Sequence, residues 1–105
     1  MPLTRDFKET ILERAKRDPA FRHGLLTEAL DCFLEGEIED GKLMLRDYVN
    51  ATIGFEELGK MTDKTPKSLM RMLSASGNPR ADNLFAIIHT LQSHEGVRLS
   101  IQALR

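Results

Sequence analysis

Apolar residues recur at helical spacing along nearly the whole chain, and interruptions of that spacing mark where each helix begins and ends. Phe7, Ile11 and Ala15 fall every four residues with Leu12 beside them, which predicts a packing helix over Asp6–Arg17. Asp6 and Glu9 have the spacing of a capping box, and Lys16 and Arg17 suit the negative end of the helix dipole. Asp18-Pro19 restarts the pattern, with an N-cap followed by proline at the first helical position. Phe21, Leu25, Leu26, Ala29, Cys32 and Phe33 then define a broad buried face, flanked by Leu30 and Leu34, to about Glu35, where Gly36 supplies a C-cap. A third helix is expected over Ile38–Ile53, with Leu45, Tyr48, Val49 and Thr52 on one side and Leu43 and Met44 widening the apolar surface. Gly41 predicts a loose first turn there, and Tyr48 is expected at the edge of the core.

The second half is punctuated more tightly. Phe55–Met61 reads as a short helix centred on Leu58, and Gly59 within it implies close approach by another helix, since an interior glycine costs about 1 kcal/mol against alanine. Thr62-Asp63-Lys64 reads as a turn, with Asp63 able to take the left-handed conformation. Thr65-Pro66 opens the next helix as N-cap and first residue. Leu69, Met72 and Leu73 face inward on it, Lys67 and Arg71 face outward, and Ser68 and Met70 lie on the flanks, Met70 as a partly buried core-edge residue. Ser76-Gly77-Asn78-Pro79 ends it, and a last helix from Arg80 or Ala81 to Ser93 buries Leu84, Ile87, Ile88 and Leu91. After Gly96 the period changes to two: Val97, Leu99 and Ile101 alternate with Arg98, Ser100 and Gln102, a strand signal. Such a strand pairs with its own copy in a dimer, or remains an unpaired tail.

Composition narrows this picture. A chain of 105 residues that is 41% apolar and 30% charged is an ordinary globular protein with one domain. Within it, residues 6–53 are N-terminal helices, 54–93 a helical core and 97–102 a strand. No run is long and apolar enough for a membrane span, no apolar leader is visible, and the single Cys32 fits a reducing cytoplasm as a buried thiol. The net charge of −1 conceals a division: residues 1–53 sum to −3 and residues 54–105 to +2. Between Lys64 and Ala81 there are four basic residues, Lys64, Lys67, Arg71 and Arg80, and no acid. Phosphate responds to that local field more than to the total.

The segment Gly54–Leu91 resembles the lambda-repressor-like helix-turn-helix family. The resemblance rests on Leu58-Gly59, on Thr65-Pro66-Lys67-Ser68-Leu69 with Leu73 closing the helix, and on Gly77-Asn78-Pro79 ahead of Leu84. Over about residues 5–102, D-F-K-E, R-D-P-A-F, L-R-D-Y-V-N-A-T-I-G-F-E-E-L and P-K-S-L-M-R-M-L are similar to the addiction-module antidote group. The fold so implied is all-α, a lambda-repressor-like bundle with N-terminal helices and a short C-terminal strand. The function so implied is an antitoxin that represses its own operon and neutralises a cognate toxin, often a messenger-cleaving ribonuclease. Asp63 departs from the glycine common in the wider family's turn.

On that reading the helix starting at Thr65 enters the major groove of operator DNA. Arg71 is the first candidate for bidentate contact to guanine and Lys67 the second, with Ser68 at a base edge or phosphate. Lys64, Thr65, Asn78 and Arg80 would position the phosphate backbone. The blander alternatives are a solvated basic face for Lys67 and Arg71, and capping or turning roles for Thr65 and Asn78. A symmetric homodimer would place two such helices about one DNA turn apart. His23, His89 and His94 have neither metal-ligand spacing nor a catalytic partner, and Glu35, Glu37, Glu39 and Asp40 lack the alternating ligands of a calcium loop. Neither catalysis, a metal nor a cofactor is expected. The alternatives are a stand-alone repressor without a toxin and a helical interaction module, whose partner surface would be the N-terminal half or Val97–Gln102.

Overall fold

Proline and glycine set the ends of most helices. A computed structural model describes residues 5–105, with side-chain surroundings from Glu9 onward. Its elements are α1 (Arg5–Arg17), α2 (Pro19–Leu34), α3 (Ile38–Ala51), α4 (Phe55–Thr62), α5 (Pro66–Met72) and α6 (Ala81–Glu95). The expected cap at Asp6 and the Phe7 end of the first apolar stripe lie outside the described side chains. Asp18 caps α2 by accepting from the Phe21 N–H at 3.2 Å, and Thr65 caps α5 by accepting from the Ser68 N–H at 3.1 Å. Each cap precedes a proline whose missing N–H would have no helical partner anyway. Positive φ at Gly36 (83°), Gly54 (81°) and Gly96 (75°) ends or redirects the chain where a side chain would be strained.

One apolar core joins the two halves. Leu26 and Ala29 of α2, Leu45, Tyr48 and Val49 of α3, Phe55 and Leu58 of α4, Leu69 and Leu73 around α5, and Ile87, Ile88 and Leu91 of α6 form a single buried cluster. Each fully buried leucine here contributes about 1.5–3 kcal/mol over an exposed one. α2 and α3 pack most extensively, and Gly41 permits it: a Cβ there would stand 2.7 Å from the Phe33 ring. Gly41 is therefore the glycine of a helix crossing rather than the mark of a loose first turn. Gly59 has a different neighbour from the one expected. Its missing Cβ leaves room for the Lys64 carbonyl oxygen, 2.6 Å from where that atom would be, and for Pro66. The turn presses hardest on α4, and Pro66, which opens α5, touches the same position at 3.5 Å.

A polar network closes the top of the bundle. Glu95, in the last turn of α6, accepts from Arg22 Nε (3.0 and 3.2 Å) and Nη2 (3.1 Å) and from the Tyr48 hydroxyl (2.5 Å). Arg22 Nη1 also donates to the Ala15 and Lys16 carbonyls, tying the end of α1 to the same point. Burial alone would raise the Glu95 carboxyl, but the Arg22 guanidinium and the Tyr48 hydroxyl outweigh it and hold the group below its ordinary range. Burial first, and the Glu95 hydrogen bond second, push the Tyr48 phenol well above its usual value. His23 Nε2 approaches Glu95 at 3.4 Å without hydrogen-bond geometry and has no hydrogen-bond partner among the described residues. Tyr48 is 1% exposed, so it sits inside the core and not at its edge.

Among the described residues there is no strand. Val97–Gln102 is irregular because the single chain offers no neighbouring strand to complete its hydrogen bonds. The Val97 N–H instead donates to the Gln92 carbonyl, the Leu99 N–H to Gln92 Oε1, and Leu99 packs on the core. Cys32 is partly buried, its Sγ 3.8 Å from Met44 Sδ, and burial raises its thiol. No described helix is long and apolar enough to cross a membrane.

Candidate nucleic-acid interface

Three residues, Asp63–Thr65, separate the eight-residue α4 from the seven-residue α5. The turn is tight because Asp63 adopts the left-handed conformation (φ 56°, ψ 45°), as its sequence position suggests. The Lys64 N–H donates to the Gly59 carbonyl at 3.0 Å, so Gly59 both makes space for the turn and supplies its acceptor. Thr62 Oγ1 donates to the Leu58 carbonyl at 2.7 Å and satisfies part of the α4 end.

Two faces of α5 differ sharply. Leu69 is fully buried and Leu73, its C-cap, is 1% exposed, while Met72 packs against the same core. Lys67 and Arg71, one turn apart, are exposed on the other side, and no carboxylate pairs with either among the described residues. Met70 is 45% exposed and joins that outer face instead of the core edge, because the helix has too few turns for its flank to reach another element. Ser68 is half-buried between the two faces.

The remaining candidates form two groups beside α5. Ser68, Arg71 and Asn78 line one cleft of about 400 Å³ together with Ser76, Gly77 and Pro79. Lys64 and Thr65 line another of about 300 Å³ at the α4–α5 turn, which also contains Lys60, Glu56 and Asp63. The second is thus of mixed charge, where the sequence suggested basic. Thr65 spends its hydroxyl oxygen on the Ser68 N–H, and Ser74 Oγ donates to the Arg71 carbonyl at 2.7 Å, steadying the end of α5. Arg80 lines neither cleft: it begins α6 and lies 3.4 Å from Asp82, with both side chains largely in solvent. Lys60 escaped the sequence reading, although its place four residues before Lys64 at the end of α4 was a usable signal.

Chemically, this arrangement offers cations and hydroxyls on a short convex helix with flanking backbone loops. It suits a polyanion with a groove, whereas a small substrate would need enclosure. The acids Glu35, Glu37, Glu39 and Asp40 are exposed around the start of α3, and no group of three or more His, Cys, Asp or Glu among the described residues could hold a metal ion. No family model, curated protein or solved structure matches this chain.

Proposed function

We propose that this chain is a sequence-specific DNA-binding antitoxin that represses its own operon as a homodimer and neutralises a cognate toxin of the ribonuclease type. The observation that carries the DNA half is the outer face of α5, where Lys67 and Arg71, which no carboxylate pairs among the described residues, stand directly opposite Leu69 and Leu73. In this reading α4, the Asp63–Thr65 turn and α5 form a helix-turn-helix unit of the lambda-repressor-like kind. α5 enters the major groove, Arg71 reads guanine, Lys67 and Ser68 contact neighbouring bases or phosphates, and Met70 is free to meet a thymine methyl. Lys64, Thr65, Asn78 and Lys60 flank the groove at the phosphates, with Arg80 available once it releases the solvent-exposed Asp82. The antitoxin half is supported by the antidote-like motifs of the sequence. A partner-binding role is further supported by the exposed apolar side chains Leu34, Phe85 and Ile101 (63, 64 and 77% exposed), which border the C-terminal segment.

The test is to select duplexes from a random pool with the intact protein and to measure their binding by fluorescence anisotropy over a range of salt. Affinity should fall by about 0.9 log units per log unit of salt for each phosphate neutralised. Arg71→Ala should flatten the preference among duplexes by about ten-fold or more at one position. An unchanged preference would reject Arg71 as the reader. For the antitoxin half, the product of the adjoining reading frame should co-purify with this chain and lose its toxicity on co-expression; an adjoining frame that does neither leaves a plain repressor.

A further inference from the structure

Lys42 belongs to α3, outside every residue assigned above to DNA, and it is 2% exposed. An ammonium is strongly hydrated, so burying one is costly unless fixed partners replace its water. It has two. Nζ donates to the Gly77 carbonyl at 2.6 Å and lies 3.2 Å from Glu39 Oε1. Glu39 is 65% exposed, so solvent screens that ion pair and leaves it a minor contribution. The Gly77 carbonyl is the contact that holds the ammonium.

Gly77 in turn is pressed against the end of α5. A Cβ on it would stand 2.0 Å from the Arg71 carbonyl oxygen and 2.8 Å from that of Met72, so the loop backbone lies against the last carbonyls of the helix. A cation beyond those carbonyls also suits the negative end of the α5 dipole. Lys42 thus reaches from the N-terminal half through the core edge and clamps the loop that carries Asn78 onto the helix that carries Lys67 and Arg71.

We propose that Lys42 is a positioning residue for DNA reading: it never touches DNA but fixes the Ser74–Pro79 loop and the C-terminal end of α5 in the docking arrangement. This inference rests on the DNA-binding reading above. Without the clamp the loop and helix end sample other arrangements, and apparent affinity falls in proportion to the docking-competent fraction.

The experiment compares Lys42→Met, which keeps the length and removes the charge, with Lys42→Gln, which removes the charge and shortens the reach to the Gly77 carbonyl. Amide exchange of residues 74–79 is measured in the free proteins, and binding to the tightest duplex selected by the wild type is measured against salt. Both variants should exchange faster in the loop and bind about ten-fold more weakly, with the salt slope unchanged because no phosphate contact is lost. Lys67→Ala, by contrast, should lower the slope by about 0.9. Unchanged loop exchange and wild-type affinity in Lys42→Met would overturn the proposal, as would a reduced salt slope, which would make Lys42 a phosphate ligand. If Lys42→Met fails to fold by circular dichroism, Lys42→Gln carries the same test. If the wild type binds no duplex, accelerated loop exchange supports the clamp while the DNA reading falls, and unchanged exchange removes the clamp too.

Discussion

Replacing Glu95 by alanine should cost about 3 kcal/mol of folding stability, a large share of the 5–15 kcal/mol typical of a single domain. The magnitude follows from what the carboxylate holds. Its side chain is 8% exposed and accepts both Arg22 Nε and Nη2 as well as the Tyr48 hydroxyl. Removing one member of a buried pair leaves the other uncompensated, at about 3–5 kcal/mol. The lower end applies here because Arg22 is 19% exposed and keeps its bonds to the Ala15 and Lys16 carbonyls. Tyr48→Phe, which deletes only the hydroxyl and leaves Arg22 and Glu95 paired, should cost about 1.5 kcal/mol.

Urea unfolding followed by circular dichroism measures both, with an unchanged m-value showing that the shift is one of stability. The pH dependence gives an independent check. The folded Glu95 carboxyl titrates below its ordinary value of 4.5, so its contribution is fully present above that pH and is lost as pH falls through the depressed value. The folded Tyr48 phenol titrates above its ordinary value of 10.0, so its contribution is present below pH 10 and is lost on raising the pH further. Glu95→Gln should remove much of the acid limb, and Tyr48→Phe part of the alkaline limb. A Glu95→Ala protein within about 0.5 kcal/mol of the wild type would show that the network adds nothing, as exposed ion pairs often do.

Three other outcomes follow from the backbone and the C-terminal segment. Gly59→Ala gains helix propensity but drives a Cβ to 2.6 Å from the Lys64 carbonyl, and should lower stability by a net of about 1–2 kcal/mol in the same urea assay. Asp63→Gly should be neutral or stabilising, whereas Asp63→Val should be worse than Asp63→Gly by about 1–2 kcal/mol, because a β-branched side chain resists φ of 56°; equal melting temperatures would argue against the left-handed turn. Deleting residues 97–105 spares Glu95 but removes Leu99 and the alternating segment, and light scattering should then report a monomer; a dimer that survives the deletion would place the subunit contact elsewhere.

The helices and both proline-led starts were readable in the sequence because their signals are local. Asp18-Pro19 and Thr65-Pro66 act within one turn, and Leu69, Leu73, Lys67 and Arg71 sort themselves by a period that needs no partner. What stayed hidden depends on residues far apart in the chain. The apolar pattern of α6 stops near Ser93, yet the helix continues to Glu95, whose partners Arg22 and Tyr48 lie 73 and 47 positions away. Gly59 announced a close approach, but not that a carbonyl makes it, and Gly41 read as a loose turn because the Phe33 ring that meets it lies on another helix. Lys42 stood three residues before Leu45 and seven before Val49, on the buried face of α3, so its burial was legible from spacing. Its acceptor, a backbone carbonyl 35 positions later, was not.

These long-range contacts change what the N-terminal helices are for. A seven-residue helix such as α5 is far too short to hold its own conformation in water, so its pose must be imposed by neighbours. Leu69 and Leu73 fix which side faces the core, Thr65 and the Gly59 carbonyl fix where it starts, and Gly77 fixes where it ends. Leu69 and Leu73 share their core with Leu45 and Val49 of residues 1–53, and Gly77 reaches the same half through Lys42. Arg22 and Tyr48 do the same for the end of α6, on which the C-terminal segment hangs. The acidic half therefore braces both surfaces that the proposed function uses, the outer face of α5 and the segment after Gly96. A partner that docked on α2 or α3 would grip the elements that hold α5 in place, without touching α5 itself.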